Sequence, residues 1–119
     1  MEECIFCKIV KGEIPSEKVW EDSEFISFLD AKPRIKGHTL IIPKKHFNTL
    51  MDLEDDISKK YIGAIKKTGK ILMEKYNAGG FNVVLNNGKV AGQIINHIHF
   101  HLVPRKKGDK KQLDLVNIE

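Results

Sequence analysis

Three histidines alternate with apolar residues over positions 97–103, which read HIHFHLV. This period of two predicts a β-strand with His97, His99 and His101 on one face, because successive strand residues point to opposite faces. Helical spacing would scatter the three rings around the axis. Imidazole is the only side chain whose unperturbed pKa lies near neutrality, and three of the chain's five histidines lie here. The run therefore predicts a strand that is packed on one face and reactive on the other.

Three interpretations of this histidine face compete. Neutral imidazole is the commonest metal ligand, so the rings could bind a metal. They could instead perform phosphate chemistry, with one ring attacking phosphorus while its neighbours hold the oxyanions. The third interpretation is a polar strand without chemistry. A zinc hydrolase with all three histidines bound to the metal is the weakest alternative, because the ring nitrogen that would attack phosphorus would then be occupied by the metal.

The remaining pattern predicts an α+β fold around an antiparallel sheet, since hairpins occur and βαβ alternation does not. An apolar stripe at three- and four-residue steps predicts one long helix over 55–76. A short helix is predicted within residues 5–10. With the histidine strand, alternation and turn residues predict five strands, the other four at 19–21, 24–29, 38–42 and 81–86.

Composition narrows the class of protein. The 119 residues are enough for one domain, and the net charge of +4 is spread over lysines interleaved with acids. The aromatic residues do not interleave with the basic ones, so a nucleic-acid surface is not expected. No apolar run approaches the ~20 residues of a membrane span. The start of the chain is acidic and lacks a long apolar segment, so we expect a cytoplasmic protein.

Cys4 and Cys7 form a C-x-x-C motif in a short apolar segment. A thioredoxin-like redox pair would need a βαβ context, which the pattern does not offer. A stable disulfide is not expected in a reducing compartment. The pair could also be half of a structural zinc site, which would need two more ligands from elsewhere.

The histidine run resembles the signature of the histidine-triad (HIT) family of nucleotide hydrolases and transferases. Further blocks match that family in its own order: CIFCKI at 4–9, GEIP at 12–15, FLD at 28–30, GHTL at 37–40, IIPKKH at 41–46 and AGQ at 91–93. Together they span most of residues 4–105. The sequence is most similar to the Hint-like branch.

The chemistry of the triad predicts a mechanism. His99 attacks the α-phosphorus of a nucleotide that carries an amine or phosphate leaving group, and water then cleaves the nucleotidyl-histidine. The resemblance implies that this nucleotide is of the AMP type, with a purine base. His101 holds phosphoryl oxygens and can pass a proton to the leaving group, while His97 positions the array. The resemblance implies that His38 supports the triad. The chemical step needs no metal.

The resemblance also implies a substrate pocket. Asp30 accepts hydrogen bonds from the ribose hydroxyls and Ala31 contacts the nucleoside. The phosphate pocket is lined by Asn86, Gly92 and Gln93. Ile94 occupies a position where the Hint-like branch often has Ser or Thr, a hydroxyl that can protonate an amine. Two other functions stay open: a dinucleoside polyphosphate hydrolase (Fhit-like), and a nucleotide-binding module without turnover.

Three further expectations follow from the resemblance. Zinc occupies a structural site made of Cys4, Cys7, His46 and His97. Two subunits pair into a homodimer with one continuous sheet, and the long helices pack at the interface. One HIT domain spans residues 1–105, and residues 106–119 form a short charged tail.

Overall fold

One antiparallel sheet and two helices make up the computed structural model, which describes residues 4–109 and 118. The strand order is β1-β2-β3-β5-β4, and every neighbouring pair is antiparallel. This confirms the predicted α+β class. The elements are α1 (Ile5–Val10), β1 (Lys18–Glu21), β2 (Phe25–Leu29), β3 (Thr39–Pro43), α2 (Asp55–Lys75), β4 (Gly80–Val84) and β5 (Phe100–Arg105), with 3₁₀ turns at Leu50–Asp52 and Lys89–Ala91.

The long helix α2 covers one face of the sheet. Its predicted apolar stripe is buried, and Leu72 is fully inaccessible. The helix packs against Phe25, Ile41 and Leu102 of the sheet, and each fully buried side chain of this kind contributes about 1.5–3 kcal/mol to stability. The Tyr61 hydroxyl donates to the Ile41 carbonyl at 2.6 Å. This half of the molecule is scaffold.

The short helix α1 covers part of the opposite face. Phe6 and Ile9 pack in a second cluster with Phe28, Leu40 and other apolar residues of β2 and β3. Phe28 pairs with Leu40, and Leu40 pairs with His101. Directly paired residues point to the same face of a sheet, so this row carries the apolar surface across to His101.

The histidine strand begins later than the sequence predicts. β5 starts at Phe100, and the segment 97–99 is irregular. The Ile98 N–H donates to the Phe47 carbonyl at 2.8 Å, so the backbone of this segment is bonded to a loop instead of pairing with β3. The strand also runs on through Pro104, which is tolerated because the pairing with β3 ends at Leu102.

Two smaller features complete the frame. β4 ends at Val84, two residues before the predicted Asn86. Residues 106–109 fold back on β5, because the Arg105 guanidinium donates to both carboxylate oxygens of Asp109, at 2.9 and 3.0 Å. The rest of the predicted tail, except Ile118, lies outside the described residues. Within the described part of the chain, no helix is both long and apolar enough to cross a bilayer.

Candidate active site and metal centre

All five histidines of the chain lie in one continuous cluster on the α1 side of the sheet. Their ring centroids are separated by 4.7 Å (His46–His97), 5.0 Å (His99–His101) and 5.2 Å (His38–His101). Phe6 joins the two halves of the cluster, because its ring packs edge-on against both His97 and His99, at 5.8 and 5.1 Å. The helix α1 therefore positions the middle of the histidine row.

The ring of His99 is fixed by a backbone carbonyl. Its Nδ1 lies 2.8 Å from the carbonyl oxygen of His97 and donates to it, since a carbonyl can only accept. In the neutral ring the lone pair is then on Nε2. This is the tautomer that a nucleophilic imidazole requires.

A chain of hydrogen bonds fixes His101 in the other tautomer, with its hydrogen on Nε2. The Arg34 backbone N–H donates to Nδ1 of His38 at 3.1 Å, so the hydrogen of that ring is on Nε2. The Nε2–H in turn donates to Nδ1 of His101 at 3.0 Å. His101 therefore carries its own hydrogen on Nε2, and this buried atom has no hydrogen-bond partner among the described residues.

A buried polar atom without a partner is uncommon in proteins and calls for an explanation. Nε2 of His101 is a donor on the ring next to His99, so an anionic oxygen would satisfy it. Burial lowers the pKa of His101 to about 3, and the nearby rings of His99 and His38 lower it further. Burial also lowers the pKa of His38, although Asp30 opposes this shift. Both rings are therefore neutral near pH 7.

An apolar cavity of about 400 Å³ adjoins the histidine row. Its size falls within the range of small-ligand pockets. Asp30 and Ala31 line it together with Phe6, Phe28 and Leu40. One carboxylate oxygen of Asp30 accepts from the Lys32 N–H at 2.9 Å, and the other lies 3.5 Å from Nε2 of His38. Both residues that the resemblance assigned to the nucleoside are therefore at the cavity wall.

The three residues assigned to the phosphate pocket have unequal surroundings. Gly92 has a φ of +102°, a left-handed conformation that favours glycine. The amide of Asn86 donates to the Ile118 carbonyl at 3.1 Å. Gln93 donates both amide hydrogens, to the carbonyls of Asn48 and Ile95 at 2.6 and 3.0 Å, and accepts from the Gly88 N–H at 2.7 Å. Its side chain braces the loop that precedes the triad.

The four residues predicted to bind zinc come together at the other end of the row. Their candidate ligand atoms all lie within 4.8 Å of one another. Nδ1 of His46 is 3.2 Å from the Cys7 sulfur, and Nδ1 of His97 is 3.4 and 3.6 Å from the sulfurs of Cys4 and Cys7. Nitrogen and sulfur ligands of a tetrahedral zinc stand about 3.5 Å apart.

The tautomers of these two histidines also suit a metal. Nε2 of His97 donates to the Pro43 carbonyl at 2.9 Å, and Nε2 of His46 donates to the Asn48 side-chain oxygen at 2.7 Å. Both Nδ1 lone pairs therefore face the sulfurs, and oxygen partners of this kind commonly orient metal-binding histidines. Burial lowers the pKa of His97 to about 4 and, together with Cys4, raises that of Cys7 to about 11. A metal would lower the pKa of the thiol.

A second group, Asp30, His38 and His101, is just as compact, with ligand atoms within 4.8 Å. Its tautomers do not suit a metal, because Nε2 of His38 carries the hydrogen that it donates to His101. Only the cysteine group presents converging lone pairs.

Several parts of the site have no signal in the sequence. The Arg34 N–H and the carbonyls of Pro43 and His97 act through the backbone, so their residue types carry no information. Asn48 accepts from a candidate metal ligand and also holds Gln93. In the sequence, the indication of this role is a polar side chain two positions after His46.

Comparison with known proteins agrees with this geometry. The model of the HIT domain matches residues 11–108. An uncharacterized HIT-like protein of Methanocaldococcus jannaschii is 51% identical over 89% of this chain and 81% of its own length. An adenosine 5'-monophosphoramidase of Candida albicans is 46% identical over 87% of this chain and 70% of its own.

A solved structure carries the same fold. A zinc-bound histidine triad family protein from Mycobacterium smegmatis superposes with a TM-score of 0.86 at 35% identity, covering 97% of this chain and 91% of that one. Fold, cysteine–histidine cluster and sequence matches therefore agree: the chain belongs to the HIT domain family and is a HIT-family hydrolase.

Proposed function

We propose that this protein hydrolyses adenosine 5'-phosphoramidates, in which an amine is joined to the phosphate of AMP. The observation that carries the proposal is the buried Nε2–H of His101, which has no partner among the described residues and lies beside the nucleophilic tautomer of His99. The named activity of the Candida albicans relative supports the same substrate class.

The reaction begins when Nε2 of His99 attacks the α-phosphorus and the P–N bond breaks. The resulting N-phosphorylated ring is positive, and the His97 carbonyl stabilises its Nδ1–H. His101 donates to a phosphoryl oxygen. Contrary to the expectation from the sequence, His101 does not also protonate the leaving group in this proposal, because a replacement hydrogen would have to come from His38, whose Nδ1 accepts from the Arg34 N–H. The departing nitrogen therefore takes its proton from water, and the hydroxide that remains attacks phosphorus and releases AMP from His99.

The apolar cavity takes the nucleoside. A purine base occupies the cavity against Phe28 and Leu40, and the ribose hydroxyls donate to Asp30. The phosphate lies against the turn at Gly92, which has no side chain to block it, and Gln93 holds that loop in place.

Zinc occupies the cysteine–histidine cluster in this proposal. Cys4, Cys7, His46 and His97 would hold it, and when bound it supplies structural cross-linking rather than a Lewis acid for the phosphate. Its effect reaches the reaction through His97, whose carbonyl orients the nucleophile.

The active form is a homodimer in this proposal. β4 is an edge strand and Val83 within it is 46% exposed. The outer face of α2 presents Ile62, 60% exposed. An open edge beside an exposed apolar side chain suits pairing with a second copy.

A substrate comparison tests the function. The protein is incubated with an adenosine phosphoramidate and, separately, with a diadenosine polyphosphate, and AMP release is followed. Faster turnover of the phosphoramidate is expected. A preference for the polyphosphate would replace the proposal with the Fhit-like activity, and AMP binding without turnover of either would identify a binding module.

A further inference from the structure

The sulfurs of Cys4 and Cys7 are arranged for more than metal binding. Both are free thiols that are only partly buried, and the chain has no other cysteine. Cys4 precedes the first turn of α1, and its sulfur accepts from the Cys7 N–H at 3.3 Å. The two sulfurs lie within 4.8 Å of each other. Residues three apart on a helical turn have Cβ atoms about 5–6 Å apart, and a disulfide requires about 3.5–4.5 Å. A side-chain rotation and a tightening of this first turn by about 1 Å would therefore let the sulfurs bond.

The histidines depend on these sulfurs whether or not a metal is bound. Both His46 and His97 give their Nε2–H to oxygens, so Nδ1 needs a hydrogen or a metal from the sulfur side. A thiol supplies the hydrogen and a thiolate supplies a metal ligand. A disulfide supplies neither. His97 is fully buried, so water does not replace the lost partner.

We propose that Cys4 and Cys7 form a reversible regulatory disulfide that disables the active site when a peroxide oxidises them. The lack of a βαβ unit argues against a thioredoxin-like oxidoreductase. It does not argue against a disulfide that regulates the protein's own active site. The effect on catalysis rests on the proposed hydrolase activity, and the loss of metal rests on the proposed zinc site; the disulfide rests on neither.

The oxidation balances with a peroxide as the only co-reactant. One thiolate attacks the peroxide, the O–O bond breaks, and a sulfenic acid and hydroxide form. The second thiolate attacks the sulfenic sulfur and displaces a second hydroxide, so a disulfide results. Two protons from solvent convert the hydroxides to water. The two sulfur electron pairs that could bind a metal as thiolates are gone, and the metal leaves.

Two structural paths lead from the sulfurs to the reacting groups. The first is direct, because the His97 carbonyl accepts from Nδ1 of His99 at 2.8 Å. Phe6 lies between the two cysteines in sequence and packs on the same nucleophilic ring. The second runs from His46 through the Asn48 side chain, while the Asn48 carbonyl holds Gln93 and its loop. A displaced His97 or His46 would therefore disturb both the nucleophile and the phosphate loop.

The test uses the full-length, zinc-loaded protein treated with stoichiometric hydrogen peroxide. In parallel, a diazenedicarboxamide is used, which forms disulfides without oxidising methionine. We expect loss of both thiols, a mass decrease of about 2 Da, a Cys4–Cys7 cross-linked peptide, and zinc release to a chromophoric chelator. We also expect turnover of the adenosine phosphoramidate to fall at least about 10-fold. A dithiol reductant with added zinc should restore it.

Two variants control the interpretation. Cys4→Ser leaves one thiol and should form no intramolecular disulfide. Met51→Leu removes the most exposed described methionine and should respond to peroxide like the parent protein. A disulfide between chains, a sulfinic acid as the main product, or an intramolecular disulfide with unchanged turnover would each overturn the proposal.

The same experiment separates this proposal from the proposed function. If the reduced protein does not hydrolyse the phosphoramidate, the proposed function fails. The disulfide proposal is then decided by thiol count, zinc release and the imidazole Nδ1–H signal of His99 in proton–nitrogen NMR. That signal should shift on oxidation and return on reduction; an unmoved signal would contradict the coupling.

Discussion

The two ends of the histidine row are built from the same side chain and have opposite chemistry. At the sulfur end, His46 and His97 give their Nε2–H to protein oxygens, and their Nδ1 lone pairs converge on two sulfurs. At the other end, where the phosphate is proposed to bind (the phosphate end), the Arg34 N–H donates to His38 and His38 donates to His101, so that His101 presents a donor. The surroundings of each ring, and not the ring itself, decide between a cation and an anion.

His99 lies between these ends and belongs to both. Its tautomer is set by the carbonyl of His97, and its ring packs against that of His101, with the two centroids 5.0 Å apart. The comparison therefore predicts that damage at the phosphate end removes chemistry directly, while damage at the sulfur end acts through position.

The largest effect is expected for His99→Ala. The covalent route is lost, so turnover should fall by at least about 10³-fold, while AMP binding stays measurable because the cavity and His101 remain. Steady-state kinetics and calorimetry with AMP measure the two quantities. Retained turnover would show that another group is the nucleophile.

Acid should destabilise the metal-free protein. The folded pKa values of His97 (about 4) and His101 (about 3) lie below the ordinary value of 6.5. The unfolded chain therefore binds more protons below pH 6.5, and stability is lost as the pH falls from 6.5 toward 4. The slope is about 1.4 kcal/mol per pH unit for each ring.

Urea unfolding in the presence of a chelator, at pH 7 and at pH 5, measures this loss. An unfolding free energy that does not change between these pH values would mean that the buried rings are not neutral in the folded state.

At the sulfur end, His46→Ala removes one ligand and leaves the nucleophile intact. Zinc content per chain should fall to near zero and turnover should decrease about 10- to 100-fold, the usual range for disturbed metal surroundings. Lys45→Ala is the matched control, since Lys45 is exposed and its ammonium contacts Glu54 and the face of the Phe47 ring rather than a candidate zinc ligand. Equal turnover in the two variants would show that the sulfur end does not contribute to the reaction.

The smallest effect is expected for His38, which positions His101 without contacting the phosphate. His38→Ala should lower kcat about 10-fold. His38→Gln should recover part of that loss, because its amide N–H can take the place of Nε2–H. Equal kcat values for the two variants would argue that His38 fills space rather than holding a tautomer.

The sequence was sufficient for the parts of the site that side-chain type determines. The Cys4–Cys7 pair, the histidine triad and the apolar stripe of α2 were identified by type and spacing, whereas His38 and His46 were assigned from the family resemblance. The structure brings the two cysteines together with His46 and His97. The sequence was not sufficient where backbone groups act. The predicted start of β5 was wrong because the Ile98 N–H donates to the Phe47 carbonyl. This contact joins residues far apart in sequence, which the local pattern does not reveal.

Gln93 shows a second kind of information that the sequence did not provide, namely which polar groups are already hydrogen-bonded. Its position beside Gly92 suggested a phosphate donor, but a residue type does not tell whether an amide is already engaged. Three hydrogen bonds within the protein use both of its amide hydrogens and its oxygen. The tautomer of each histidine is likewise set by partners such as Pro43, which the sequence pattern does not reveal.

The central claim is that His99 carries the nucleotide during turnover. Rapid quenching of the protein with an adenosine phosphoramidate, followed by intact-protein mass spectrometry, tests it most directly. The account predicts a transient adduct of the mass of one adenylyl group, mapped to His99 and missing in His99→Ala. Turnover without any adduct on His99, or an adduct on another residue, would contradict it.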